Sequence, residues 1–186
     1  MTPARDIWAW LSARDRGQAL ALGAAVGLVA GMTQTWVQAP LVAALAALAL
    51  AVAKLDARHF LIPDWLTLGI GVLGLADAAL ADQGVAGQGM ADRALAMLAL
   101  GAALWVLRAA LSRWKGQTAL GLGDVKFLVA ACAWISPANL ALYLFVSAIS
   151  GLAQAALNRP RGGRIAFGAH LAPWLVAMVL ARPWIG

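Results

Sequence analysis

The chain has 186 residues, of which 63% are hydrophobic and only 12% charged, and its mean hydropathy is +0.80. A soluble domain carries about 25% charged residues, so this composition excludes one and predicts an all-α polytopic membrane protein. Apolar runs such as residues 41–53 do not alternate, which excludes a β-barrel. The net charge of +6 comes from bases in short loops between apolar runs, the positive-inside pattern rather than a nucleic-acid surface.

Residues 1–18 set Arg5, Arg14 and Arg16 against Asp6 and Asp15, with Trp8 and Trp10 suited to the membrane interface. A basic start before an apolar run also resembles a signal peptide. No small-residue cleavage site stands out, so a retained first helix is expected. Spans are predicted over residues 19–37 and 40–53, with Pro40 placed in a first helical turn. Lys54, Asp56, Arg58 and His59 follow, then a third span over 65–81, in which Gly71 and Gly74 suit helix packing. Residues 82–92 read as a Gly-rich outer loop. The fourth span is 94–111, with Arg108 near enough to its end to snorkel, and the fifth is 120–135. The sixth is 140–157, and a basic turn over 158–164 leads to the last, 165–180. The expected organisation is a cytoplasmic or interfacial segment, 1–18, before a single transmembrane domain, 19–186, of about seven helices.

With the N-terminus in the cytoplasm, twelve of the fourteen bases fall on the cytoplasmic side, leaving Arg93 and Arg182 outside. Cys132 is the single cysteine and sits in an apolar segment, so no disulfide framework and no cysteine metal site is expected. His59 and His170 have no ligand spacing, and neither metal nor organic cofactor is predicted. Asp77 lies toward the outer end of the third span and is assigned no chemistry.

The stretch Gly121-Leu122-Gly123-Asp124-Val125-Lys126 puts a carboxylate where a flexible turn enters an apolar run. Such an Asp either caps the next helix or marks a functional site, since ionisable groups at that depth are costly. The predicted topology brings a second acid, Asp56, to the same side of the membrane. Two carboxyls in one partly dehydrated site cannot both ionise, so one holds a proton while the other activates water. Glycines before Asp124 allow a substrate backbone to approach closely.

These residues resemble a known family. Gly121–Lys126 resembles the second motif of type IV prepilin peptidases, members of the Gly-x-Gly-Asp aspartyl proteases that include preflagellin peptidases and presenilin. The stretch Asp56-Ala57-Arg58-His59-Phe60-Leu61-Ile62-Pro63-Asp64-Trp65-Leu66-Thr67 is similar to the first motif. Ile165-Ala166-Phe167-Gly168-Ala169-His170-Leu171-Ala172 resembles a weaker segment, usually Ile-Pro-Phe-Gly-Pro, with alanines at both proline positions. The resemblance implies a Gly-x-Gly-Asp aspartyl protease fold in the bacterial inner membrane, with Asp56 and Asp124 as the catalytic pair. Gly121, Gly123, Lys126 and Arg58 are candidate substrate-binding residues, although Lys126 and Arg58 also suit snorkelling and the positive-inside pattern. Asp64 is expected to cap the third span. The implied activity is cleavage of the short basic leader of prepilins or pseudopilins, in pilus assembly or protein secretion, after a Gly at the cytoplasmic face. Larger members carry paired Cys-x-x-Cys motifs linked to N-methylation. With one cysteine here, peptidase activity without methyl transfer, and no zinc, is expected.

A rival function class is a small transporter or channel subunit using the two Asp residues for protons or cations. Such a relay needs ionisable groups spread through the membrane, whereas Asp56 and Asp124 fall at one interface. The partners expected are the pilin precursor and the lipid bilayer, with no nucleic acid.

Overall fold

The computed structural model describes residues 11–33, 35–81, 89–116, 121–157 and 165–185. The expectations for Trp8 and Trp10, the outer loop at 82–88 and the basic turn at 158–164 lie outside the described residues. Among the described residues the protein is all-helical, with α1 (Ala13–Thr33), α2 (Ala39–His59), α3 (Asp64–Ala81), α4 (Met90–Lys115), α5 (Leu122–Ala131), α6 (Pro137–Leu157) and α7 (Gly168–Ile185). Four of these, α2, α3, α4 and α6, are long and apolar enough to cross a membrane.

Helix α2 is the central element because its apolar residues recur on more than one face. Val42, Leu45, Ala46, Ala49, Val52 and Leu55 are buried, and α2 packs on α1, α3 and α7. Small residues set the closeness of the first contact. A Cβ on Gly23 would lie 2.8 Å from the Ala43 carbonyl oxygen, so α1 meets α2 nearly backbone to backbone. Helix α7 supplies Leu171, Ala172, Leu175 and Val179 to the same core. Helix α5 packs against α3, α4 and α7.

The apolar run at 120–135 does not become one continuous helix. Helix α5 has ten residues, which at 1.5 Å each is about 15 Å, half the hydrocarbon thickness of about 30 Å. The chain then turns through Cys132–Ile135, all buried, with Ala133 N–H bonded to Ala130 O and Trp134 N–H to Ala131 O. Buried irregular backbone needs partners for its polar groups. Here the Trp134 indole N–H donates to Ile70 O at 2.8 Å, and Arg182 Nη2 donates to Trp134 O at 2.7 Å. Gly74 makes room for that turn: a Cβ there would lie 2.6 Å from Ala133 Cβ and 2.8 Å from the indole.

Asp77 is buried near the Arg182 end of α7. Its Oδ2 lies 2.6 Å from Arg182 Nη1, and the same guanidinium sits 5.5 Å from the Trp134 ring centroid.

Candidate active site

The sequence turns sharply after α2. Its last turn ends on Phe60, which caps the helix in the left-handed conformation (φ 52°, ψ 38°) and donates its N–H to Asp56 O at 2.9 Å. Phe60 is the one described non-glycine residue with positive φ, a conformation that costs about 1 kcal/mol. The turn sends Leu61 and Ile62 back across the end of the bundle, and α3 starts at Asp64. Across from it Gly121, extended (φ −62°, ψ 134°), leads into α5 with Leu122, Gly123 and Asp124 in its first turn.

Asp56 and Asp124 therefore arrive from different helices at one cavity of about 840 Å³, which Gly121, Gly123 and Lys126 also line. Phe60, Leu61, Ile62, Ile165 and Phe167 give it apolar walls, and Arg108 reaches it from α4. Both carboxylates line this one cavity.

Their surroundings differ. Asp56 is buried, and its Oδ2 accepts the Ala169 backbone N–H at 3.1 Å, with the Gly168 N–H directed at the same carboxylate. These are first-turn amides of α7, left without intrahelical partners as at every helix start. Gly168 has to be a glycine for this approach: a Cβ would lie 3.0 Å from Asp56 Oδ2 and 2.6 Å from Ile62 Cδ1. Asp124 folds back over Gly121, where a Cβ would lie 2.7 Å from its Oδ2. Ile62 separates the two elements, because a Cβ on Gly123 would meet Ile62 Cβ at 3.2 Å.

The other candidates are placed as follows. Lys126 Nζ pairs with Asp64 Oδ1 at 2.7 Å at the cavity, where Asp64 is 76% exposed. Asp64 is a first-turn residue of α3 whose carboxylate engages Lys126. That departs from the expected capping role, because Pro63 already supplies the carbonyl that accepts the Leu66 and Thr67 amides. Arg58 is not among the cavity-lining residues. It turns to α1, where its Nη1 meets Asp15 Oδ2 at 2.7 Å while Lys54 Nζ meets Asp15 Oδ1 at 2.6 Å. His170 lies between Ser150 Oγ (3.0 Å) and Gln154 Oε1 (2.6 Å).

Sequence reasoning missed the Gly168 and Ala169 amides, Ile62 and the cavity-facing position of Arg108. The third motif signalled the first of these, but only the fold brings α7 onto the end of α2.

Residues 43–156 match the model of the type IV leader peptidase family. Over 86 residues the chain is 34% identical to a prepilin leader peptidase/N-methyltransferase of Neisseria gonorrhoeae, covering 45% of this chain and 30% of that protein. Over 136 residues it is 29% identical to a protein of the same name from Dichelobacter nodosus, covering 72% of this chain and 46% of the relative. The chain thus spans less than half the length of these relatives. No solved structure matches. A membrane-type helical bundle with two acids at one cavity, and a family match that covers both of them, lead to one statement: the chain belongs to the type IV leader peptidase family.

Proposed function

We propose that this chain is an aspartic endopeptidase that removes the basic leader of prepilins or pseudopilins at the cytoplasmic face of the inner membrane. The observation that carries the reading is the meeting of Asp56 and Asp124 at one cavity with no cation on either carboxylate among the described residues. One carboxylate takes a proton from water while the other, protonated, polarises the scissile carbonyl. No metal or organic cofactor enters this scheme.

The cavity walls suit an extended leader followed by an apolar segment. Gly121 and Gly123 expose backbone beside Asp124, and Phe60, Leu61 and Ile165 offer apolar contact. Lys126 is held only by an exposed partner. Such pairs are worth at most about 1 kcal/mol, so it can exchange Asp64 for an acidic group of the substrate. Within this chain one cysteine cannot form paired Cys-x-x-Cys motifs, so the methyl transfer in the relatives' name is not carried over. The charge count supports a cytoplasmic N-terminus.

The test is co-expression of a prepilin from the same genome with wild type, Asp56→Asn or Asp124→Asn. Asn keeps the size but cannot act as base or acid, so a shortened pilin is expected with wild type alone. Processing by both Asn variants would end the two-carboxylate reading. Ion flux in liposomes that depends on either Asp would favour transport instead.

A further inference from the structure

The two carboxylates are not interchangeable in their surroundings, and on the reading above this divides the chemistry between them. Asp56 Oδ2 accepts the Ala169 N–H at 3.1 Å and faces the Gly168 N–H, at the positive end of α7. An N–H can only donate, and bonds of this kind are strongest to an ionised oxygen. Asp124 has no hydrogen-bond donor on its carboxylate among the described residues and lines the same cavity as Asp56. A proton shared by the pair therefore resides on Asp124.

We propose that Asp56 is the base and Asp124 the acid of this site, and that the Ala169 backbone N–H is the positioning group that holds Asp56 ionised. The step balances without any further reactant. Asp56 takes one proton of water as the water oxygen bonds to the scissile carbonyl carbon, and Asp124 gives its proton to the carbonyl oxygen. In the resulting diol the C–N bond then breaks. Asp56 passes its proton to the departing amine, one diol hydroxyl returns a proton to Asp124, and the product is a carboxylic acid.

Other charged groups near Asp56 are already engaged or unchanged by the test. Asp64 of α3 holds Lys126 of α5, and Arg108 reaches the cavity from α4. His170 of α7 is turned to Ser150 and Gln154 of α6, and Lys54 and Arg58 of α2 are turned to Asp15 of α1.

Ala169 is the second residue of α7, where a proline fits and its missing N–H breaks no helical bond. The experiment is the pH dependence of kcat/KM for purified wild type, Ala169→Pro and Ala169→Gly. The substrate is a synthetic peptide with a short basic leader, a Gly and an apolar segment. Loss of one donor to a charged acceptor should move the acid limb of the Pro variant up by about one pH unit. The rate on that limb should fall roughly tenfold, and the plateau should be retained. Ala169→Gly keeps the N–H and should follow wild type.

Gly168→Ala, which crowds Asp56 Oδ2 off the amides without removing them, should shift the acid limb in the same direction, and it decides the matter if the Pro variant fails to fold. An unshifted acid limb in both variants overturns the proposal. So does a shift confined to the basic limb, which would make Asp56 the acid. A wild type inert at every pH overturns the peptidase reading itself, whereas an active enzyme with unshifted profiles overturns only this division of roles.

Discussion

Asp15, Asp64 and Asp77 each hold a cation: Lys54 with Arg58, Lys126, and Arg182 respectively. Among the described residues Asp56 and Asp124 hold none. A part-buried carboxylate kept without a counter-charge in a mostly apolar bundle is costly, which supports the proposed roles of Asp56 and Asp124. Asp15 is the contrasting case. Arg58 first, then Lys54 and the Ser12 hydroxyl, hold its carboxyl well below the usual carboxylate range. A depressed carboxylate contributes stability that is full above its unfolded value, near pH 4, and is lost as pH falls toward the folded value. The tether between α1 and α2 is therefore complete at pH 7. Asp15→Asn should lower Tm at pH 7, and the gap from wild type should shrink near pH 3. Thermal unfolding in detergent at the two pH values reads this directly, and an unchanged gap would refute it.

Helix limits were legible where polar residues bracket an apolar run. The segments predicted at 65–81 and 140–157 correspond to α3 and α6, which begin at Asp64 and Pro137. The end of α5 was not legible, because Cys132–Ile135 is as apolar as the helix before it. What ends the helix is tertiary: the Ile70 carbonyl takes the Trp134 indole, Arg182 takes the Trp134 carbonyl, and Gly74 leaves the space. Gly74→Val should therefore overpack this turn and cost about 1–3 kcal/mol, measured as lost thermal stability in detergent. At the α6–α7 contact, the buried Tyr143 hydroxyl donates to Leu171 O at 3.0 Å. Tyr143→Phe should cost about 1 kcal/mol with the bundle otherwise intact.

Across the whole molecule, pattern and motif made the helical class readable, and they singled out the two acids that the fold brings to one cavity. The partners of Arg58 and Asp77 were not, because they lie 43 and 105 residues away in sequence and hydropathy carries no pairing information. The third motif was visible, but not the use of its amides. A proline at 169 would have no N–H to give, so the departure to alanine is what supplies the bond to Asp56. The two ends of the bundle should also respond differently to truncation. Arg182→Ala removes the guanidinium bonded to the buried Asp77 and should cost about 3 kcal/mol, whereas Lys126→Ala, at an exposed pair, should cost less than about 1 kcal/mol. Thermal unfolding of both variants checks the order.

Ile62, which carries no chemistry, touches the space of both Gly123 and Gly168 and so sets the gauge between the two acids. Positions 62, 123 and 168 are therefore epistatic. Alanine at 168 is most harmful while isoleucine stands at 62, and Ile62→Val, by removing the δ-methyl, should restore part of what Gly168→Ala takes away. Drift at any one of these sites opens or closes the route to change at the other two.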